Sequence, residues 1–206
     1  MAETEQPQLY LVTPASPSPD SFPDQLARVL DTTEIACLRL RTATQDEDEI
    51  GRIADALRDV AHRRDIPLVI DSHVQLVERH GLDGVHLLDG SKLVRKTRKA
   101  LGADAIVGAY CGTSRHDGIS AGEAGADYVS FGPAGPTVLG DGSKAEAELF
   151  AWWSDMIEMP VIAEGALDVT TIAQLAQITD FFAIGDEIWR EDDPAAALKL
   201  LVQAIG

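Results

Sequence analysis

Short apolar runs recur along this chain, and between them lie longer stretches with apolar residues three and four positions apart. The runs have the pattern of strands buried on both faces, and the longer stretches that of amphipathic helices. Strands are predicted at residues 9–13, 35–40, 66–70, 83–87, 105–110, 127–131, 160–163 and 181–184. Helices are predicted at 22–30, 46–64, 73–80, 91–101, 114–124, 145–156, 169–178 and 194–205. In the second of these, Ile50, Ile53, Ala54, Leu57 and Val60 share one face. The loops are marked by Gly and Pro, as in residues 14–19 and 132–136.

Eight strand–helix pairs without a composition break imply a parallel sheet, and eight such units imply closure into a single (β/α)8 TIM barrel. The domain spans residues 1–206, with 1–8 read as a flexible tail. The competing architecture is an open doubly wound sheet; no Gly-x-Gly-x-x-Gly follows the first strand to support it.

Composition narrows the function. The 206 residues are 45% hydrophobic and carry a net charge of −17, which suits one globular core and disfavours nucleic acid and anionic membranes as partners. No apolar run approaches a membrane span, and the acidic N-terminus does not read as a signal peptide. Cys37 and Cys111 have neither disulfide nor metal spacing and read as buried small residues in a cytoplasmic protein. The expected partner is a small molecule at the barrel mouth. A homo-oligomer is left open, because Trp152 and Trp153 on one helix suit either packing or a subunit contact.

In such a barrel, chemistry sits at the C-terminal ends of the strands. The residues to weigh there are Arg39, Arg41, Asp71, Ser72, Asp89, Tyr110, Thr137, Glu164, Gly165, Gly185 and Asp186. Alternation puts Cys37, Arg39 and Arg41 on one face. Two arginines there suit an anion; the alternative is a structural ion pair with Asp71. His86 reads as a core histidine, and His116 as a solvated one.

Four stretches, Leu9-Tyr10-Leu11-Val12-Thr13, Asp83-Gly84-Val85-His86-Leu87, Glu123-Ala124-Gly125-Ala126-Asp127-Tyr128-Val129 and Gly132-Pro133-Ala134-Gly135-Pro136-Thr137, resemble the thiamine-phosphate synthase/TenI family. The resemblance implies a compact (β/α)8 barrel that joins a hydroxymethylpyrimidine diphosphate to a thiazole phosphate. Mg²⁺ and basic groups stabilise the departing pyrophosphate. It also implies departures. Ser72 and Ser91 stand at the family's two metal aspartates, and a serine hydroxyl is a poor ligand for Mg²⁺. Tyr110 stands at a serine that faces the pyrimidine and is expected to close that pocket. Thr137 matches the first threonine of the phosphate loop, whereas Leu139 and Gly140 replace its second threonine and lysine. Where the TenI tautomerases carry a histidine, this chain has Pro133. After the seventh and eighth strands, Gly165 and Gly185 are expected to keep phosphate-binding turns, with Glu164 and Asp186 placing carboxylates where phosphate oxygens would lie. Two functions follow: a synthase-like transferase with a rearranged site, using Mg²⁺ if the family activity is retained, or a diverged barrel that binds a small molecule without that reaction.

Overall fold

The structure is a computed structural model and describes residues 6–136 and 142–206. Eight parallel strands close into a barrel in sequence order, β1 pairing with both β2 and β8. They are β1 (Gln8–Val12), β2 (Cys37–Leu40), β3 (Leu68–Asp71), β4 (Gly84–Leu87), β5 (Ile106–Tyr110), β6 (Tyr128–Phe131), β7 (Val161–Glu164) and β8 (Phe181–Ile184). The helices are α1 (Phe22–Leu30), α2 (Glu47–His62), α3 (Val74–Arg79), α4 (Val94–Leu101), α5 (Arg115–Glu123), α6 (Ala147–Met156), α7 (Val169–Leu175), α8 (Asp186–Trp189) and α9 (Pro194–Val202). The open-sheet alternative is excluded by the closing pair between β1 and β8. Among the described residues, no helix is long and apolar enough to cross a membrane.

The apolar runs divide their side chains between two cores. Leu11, Leu38, Leu40, Leu68, Ile70, Val85, Leu87, Val129 and Phe131 point outward and pack under the helices. Tyr10, Val12, Cys37, Val69, Tyr128, Ile162 and Ala183 point into the barrel. The interior is tight enough to dictate a glycine at position 108. A Cβ there would lie 2.0 Å from the Tyr128 ring, so the Tyr128 side chain occupies the space that the missing Cβ leaves.

Helix starts follow side-chain chemistry. The carboxylates of Asp46, Asp168 and Asp193 and the Ser114 hydroxyl accept backbone N–H bonds at the starts of α2, α7, α9 and α5.

Most element ends move by one to three residues from the sequence expectation, and four differences bear on the site. Gln8 is not tail but the first residue of β1; its N–H donates to the Asp180 carbonyl at 2.9 Å. Both β3 and β7 run one residue further, to Asp71 and Glu164. A carboxylate ends an apolar run in sequence, but here each lies inside the barrel beside Arg39. The four-residue helix α8 has no apolar period to announce it. It is held by Trp189, whose indole N–H donates to the Val12 carbonyl at 2.6 Å while its ring packs edge-on against Phe22.

Candidate active site at the barrel mouth

The site is built around Arg39. Strand alternation turns this side chain inward, where the residue is 5% exposed. Its Nη1 donates to Glu164 Oε2 at 2.9 Å, and its Nε lies 3.4 Å from Asp71 Oδ1 without hydrogen-bond alignment. Burial works against the guanidinium's charge, but Glu164 and Asp71 outweigh it and hold the group above its ordinary range. Asp71 is pushed up to about 6, first by burial and then by Glu164, with Arg39 opposing. The arginines are thus ion-paired, and Asp71 is one of the partners.

Arg41, two residues on, reaches the same face at the rim. Its Nη2 donates to Asp186 Oδ1 at 2.7 Å, and Arg190 approaches the other oxygen at 3.1 Å. The Thr13 hydroxyl fixes the end of β2, accepting from the Arg41 N–H and donating to the Arg41 carbonyl. The pairs Arg39–Glu164 and Arg41–Asp186 form a wall between two cavities, because all four residues line both. One cavity, of about 830 Å³, includes Asp71, Ser72, Leu88 and Tyr110. The other, of about 470 Å³, includes Gly165, Ala166, Gly185 and Glu187.

Tyr110 lines the larger cavity, where the sequence put it. Its hydroxyl donates to the Gly132 carbonyl at 2.7 Å. Ser72 sits just past β3 at φ 58°, a left-handed conformation that Asn and Asp also tolerate. Asp89 is exposed, and Ser91 is partly exposed ahead of α4. Thr137, Leu139 and Gly140 lie outside the described residues. Lys144 pairs with Glu146 at 3.3 Å.

These residues do not fit Mg²⁺. Two serines stand where the family places carboxylates, and the nearby Asp71 carboxylate is already engaged by Arg39. Among the described residues no group of three His, Cys, Asp or Glu side chains could hold a metal ion.

Glu164 and Asp186 both line the second cavity, with Gly165 and Gly185. Neither stands there as an unpaired carboxylate: each faces an arginine across the wall. The carboxylate on the backbone donors is Glu187. Its Oε2 accepts the Gly185 N–H at 2.8 Å and its Oε1 the Leu167 N–H at 3.2 Å. Gly165 keeps a turn that only φ 84° allows, and its carbonyl receives the N–H groups of Ala134 and Gly135. It therefore ties the loop after β6 to the end of β7.

Below the mouth runs a polar chain that the apolar strand patterns concealed. Tyr10 and Tyr128 share a hydrogen bond of 2.7 Å, and the Tyr128 hydroxyl bonds His86 Nδ1 at 3.0 Å. His86 Nε2 is 3.9 Å from Glu164 Oε2. Burial, then Arg39, holds His86 well below its ordinary range, so the imidazole is neutral. Burial likewise raises both phenols. The inward register of two tyrosines was the one sequence clue to this chain. Tyr128→Phe is expected to leave the Tyr10 hydroxyl and His86 Nδ1 without this partner and to cost about 1–3 kcal/mol. Urea unfolding of the variant beside wild type measures it.

His116 is exposed near the start of α5 and lines neither cavity. Cys37 and Cys111 are buried free thiols, and burial raises both to about 12, outside nucleophilic use near neutrality. Trp153 is buried, with its indole N–H donating to the Met159 carbonyl, while Trp152 is partly exposed with the Arg115 guanidinium 4.1 Å from its ring centroid.

A closed (β/α)8 barrel with a polar, two-chambered cavity at the C-terminal ends of its strands defines a barrel of the enzyme-bearing type. A family model described as thiamine monophosphate synthase matches residues 9–188, and the chain belongs to that family. It is 38% identical over 194 residues to the thiamine-phosphate synthase of Rhodospirillum centenum, covering 93% of this chain and 94% of that one. It is 34% identical over 203 residues to the enzyme of the same name from Erythrobacter litoralis, covering 95% of each. Among solved structures, the thiamine phosphate pyrophosphorylase of Pyrococcus furiosus superposes with a TM-score of 0.83 at 21% identity, covering 96% of this chain and 95% of that one.

Proposed function

We propose that this chain is a thiamine-phosphate-synthase-like transferase with a rearranged site. The observation that carries the reading is the pair of adjoining cavities at the barrel mouth, in a chain that matches named thiamine-phosphate synthases along nearly its whole length. A two-substrate transfer needs two ligands side by side with their reacting atoms in contact, here over the rim that the two cavities share.

In this reading the pyrimidine lies in the larger cavity against Tyr110, and the azole in the smaller one. The methylene–oxygen bond of the pyrimidine diphosphate breaks, pyrophosphate leaves with the electron pair, and the azole nitrogen's lone pair forms the new C–N bond. Arg41 is the cation for the departing pyrophosphate, because it is at the rim and its partner Asp186 is shared with Arg190. Arg39 is too deep and too fully paired to follow a leaving group. It anchors Asp71 and Glu164, which shape the wall. A metabolite pair of this kind, at least one member phosphorylated, belongs in the cytoplasm, where such charged compounds are retained.

The alternative against which this reading is tested is a barrel that binds its ligand without the transfer. Incubation of the purified protein with the pyrimidine diphosphate, an azole acceptor and Mg²⁺ separates the two. The transferase reading expects pyrophosphate release coupled to a C–N-linked product, slower than about 1 s⁻¹. Ligand binding with no product sinks it in favour of the second.

A further inference from the structure

We infer that the floor of the barrel holds a second ligand site, for a small uncharged aromatic molecule the size of a single substituted ring. The site opens on the face opposite the mouth, and none of its lining residues lines either mouth cavity. It is independent of the transferase reading.

The hollow follows from which side chains fill the bottom of the barrel. A closed barrel of this type fills its interior with layers of roughly four side chains from alternate strands. At the floor these come from the first residues of the even strands, Cys37, Gly84, Tyr128 and Phe181. Cys37 is small. Gly84 supplies no side chain and can take none, because a Cβ there would lie 2.0 Å from the Ile106 carbonyl oxygen. Tyr128 leans into the space beside Gly108, one layer further in, and its hydroxyl is bonded to Tyr10 and His86. Phe181 alone does not close the layer, and a cavity of about 210 Å³ remains.

The lining decides the chemistry. Tyr10, Cys37, Tyr128 and Ile162 are buried in its wall, and Ile106 and Phe181 stay partly exposed at its opening. No Asp, Glu, Lys, Arg or His side chain lines it, and the Gln8 amide stands at the exposed rim. The polar groups of the inner wall are turned to one another: the two phenol hydroxyls share a hydrogen bond, and the Cys37 thiol donates to the Leu38 carbonyl at 3.7 Å. A charged ligand would shed its water here without gaining a partner. An apolar ring gains by leaving water, and the rings of Tyr10, Tyr128 and Phe181 offer it edge-on contacts. Tyr10 and Tyr128 already meet each other that way, at 5.7 Å between centroids.

Size narrows the class further. An engineered apolar cavity of about 150 Å³ in another protein takes up benzene. The hollow here is somewhat larger and admits one ring with a small substituent. Left empty, its wall forfeits the dispersion contacts that a close-packed interior provides. The diphosphate proposed for the mouth is excluded from the floor by its charge.

The test is calorimetric titration of wild type, Cys37→Leu and Ile106→Phe with toluene and with benzoate, which is the same ring carrying a charge. Wild type is expected to bind toluene about tenfold more tightly than benzoate, whose carboxylate would be desolvated. Both replacements push apolar volume into the hollow and are expected to weaken toluene binding about tenfold. They act from different strands, so the comparison survives if one of them folds poorly. A wild type that does not bind toluene, or that binds benzoate as tightly, overturns the inference. So does a toluene affinity unmoved by the filling variants, which would place the ring elsewhere, such as against Tyr110 at the mouth.

Discussion

Replacing Arg39 with alanine should lower the unfolding free energy by about 3–5 kcal/mol at neutral pH, a large share of the roughly 5–15 kcal/mol that holds a domain together. The loss comes from the partners left behind. Asp71 and Glu164 would remain inside the barrel with no guanidinium between them, two carboxylates in a site from which water is largely excluded. The deficit should depend on pH in a definite direction. In the wild type Asp71 titrates at about 6 against an ordinary 3.8, so the folded chain holds that proton more tightly than the unfolded chain does. A raised carboxyl pKa contributes stability below the unfolded value and loses it as pH rises through the folded one. For Asp71 the window is therefore about pH 4 to about pH 6. Between 3.8 and about 6, at about 1.36 kcal/mol per pH unit, the loss comes to about 3 kcal/mol. Asp71→Asn should flatten that fall. Arg39→Ala should extend it above pH 6, because Asp71 then loses the guanidinium that opposes its rise. Urea unfolding at about pH 5 and about pH 8 should show the smaller deficit at the lower value. Equal deficits at both would show that Arg39 acts through packing and not charge. The triple change Arg39→Met, Asp71→Asn, Glu164→Gln should recover much of the stability, since it removes the whole network together.

The second large effect concerns rate. Ser72→Asp together with Ser91→Asp should raise Mg²⁺-dependent pyrophosphate release about 100-fold. A divalent cation that neutralises a departing pyrophosphate would supply several kcal/mol, and about 3 kcal/mol corresponds to about 100-fold. The backbone at position 72 already suits the change, because φ 58° is a conformation aspartate adopts readily. Each single variant should gain far less, since one carboxylate leaves the ion under-coordinated. Steady-state release measured with and without Mg²⁺ tests it. A double variant no faster than wild type, with no new Mg²⁺ dependence, would show that the rearranged site does not turn on these two positions.

Much of this protein was determined by its sequence. The alternation of short apolar runs with amphipathic stretches gave eight strands and their partner helices, and eight parallel units have no exposed edge only if the sheet closes. The family words at residues 9–13, 83–87, 123–129 and 132–137 placed the chain in its family, because they mark where strands turn into loops. Strand period two placed Arg39 and Arg41 inside, and the distance across the barrel mouth made Asp71 a natural partner. Tertiary structure decided what those charges meet. Glu164 and Asp186 come from strands and loops more than a hundred residues away from the arginines they bind, and nothing local marks them as partners. For the same reason a carboxylate that ended an apolar run in sequence became the last inward residue of a strand at Asp71 and again at Glu164. Glu187 is the clearest case. In sequence it is one acid in a polar stretch, and only the closing of β7 beside β8 brings the Leu167 N–H within its reach. Side-chain direction is periodic and can be read along the chain. Which group stands opposite depends on closure of the barrel, a property of the whole chain at once.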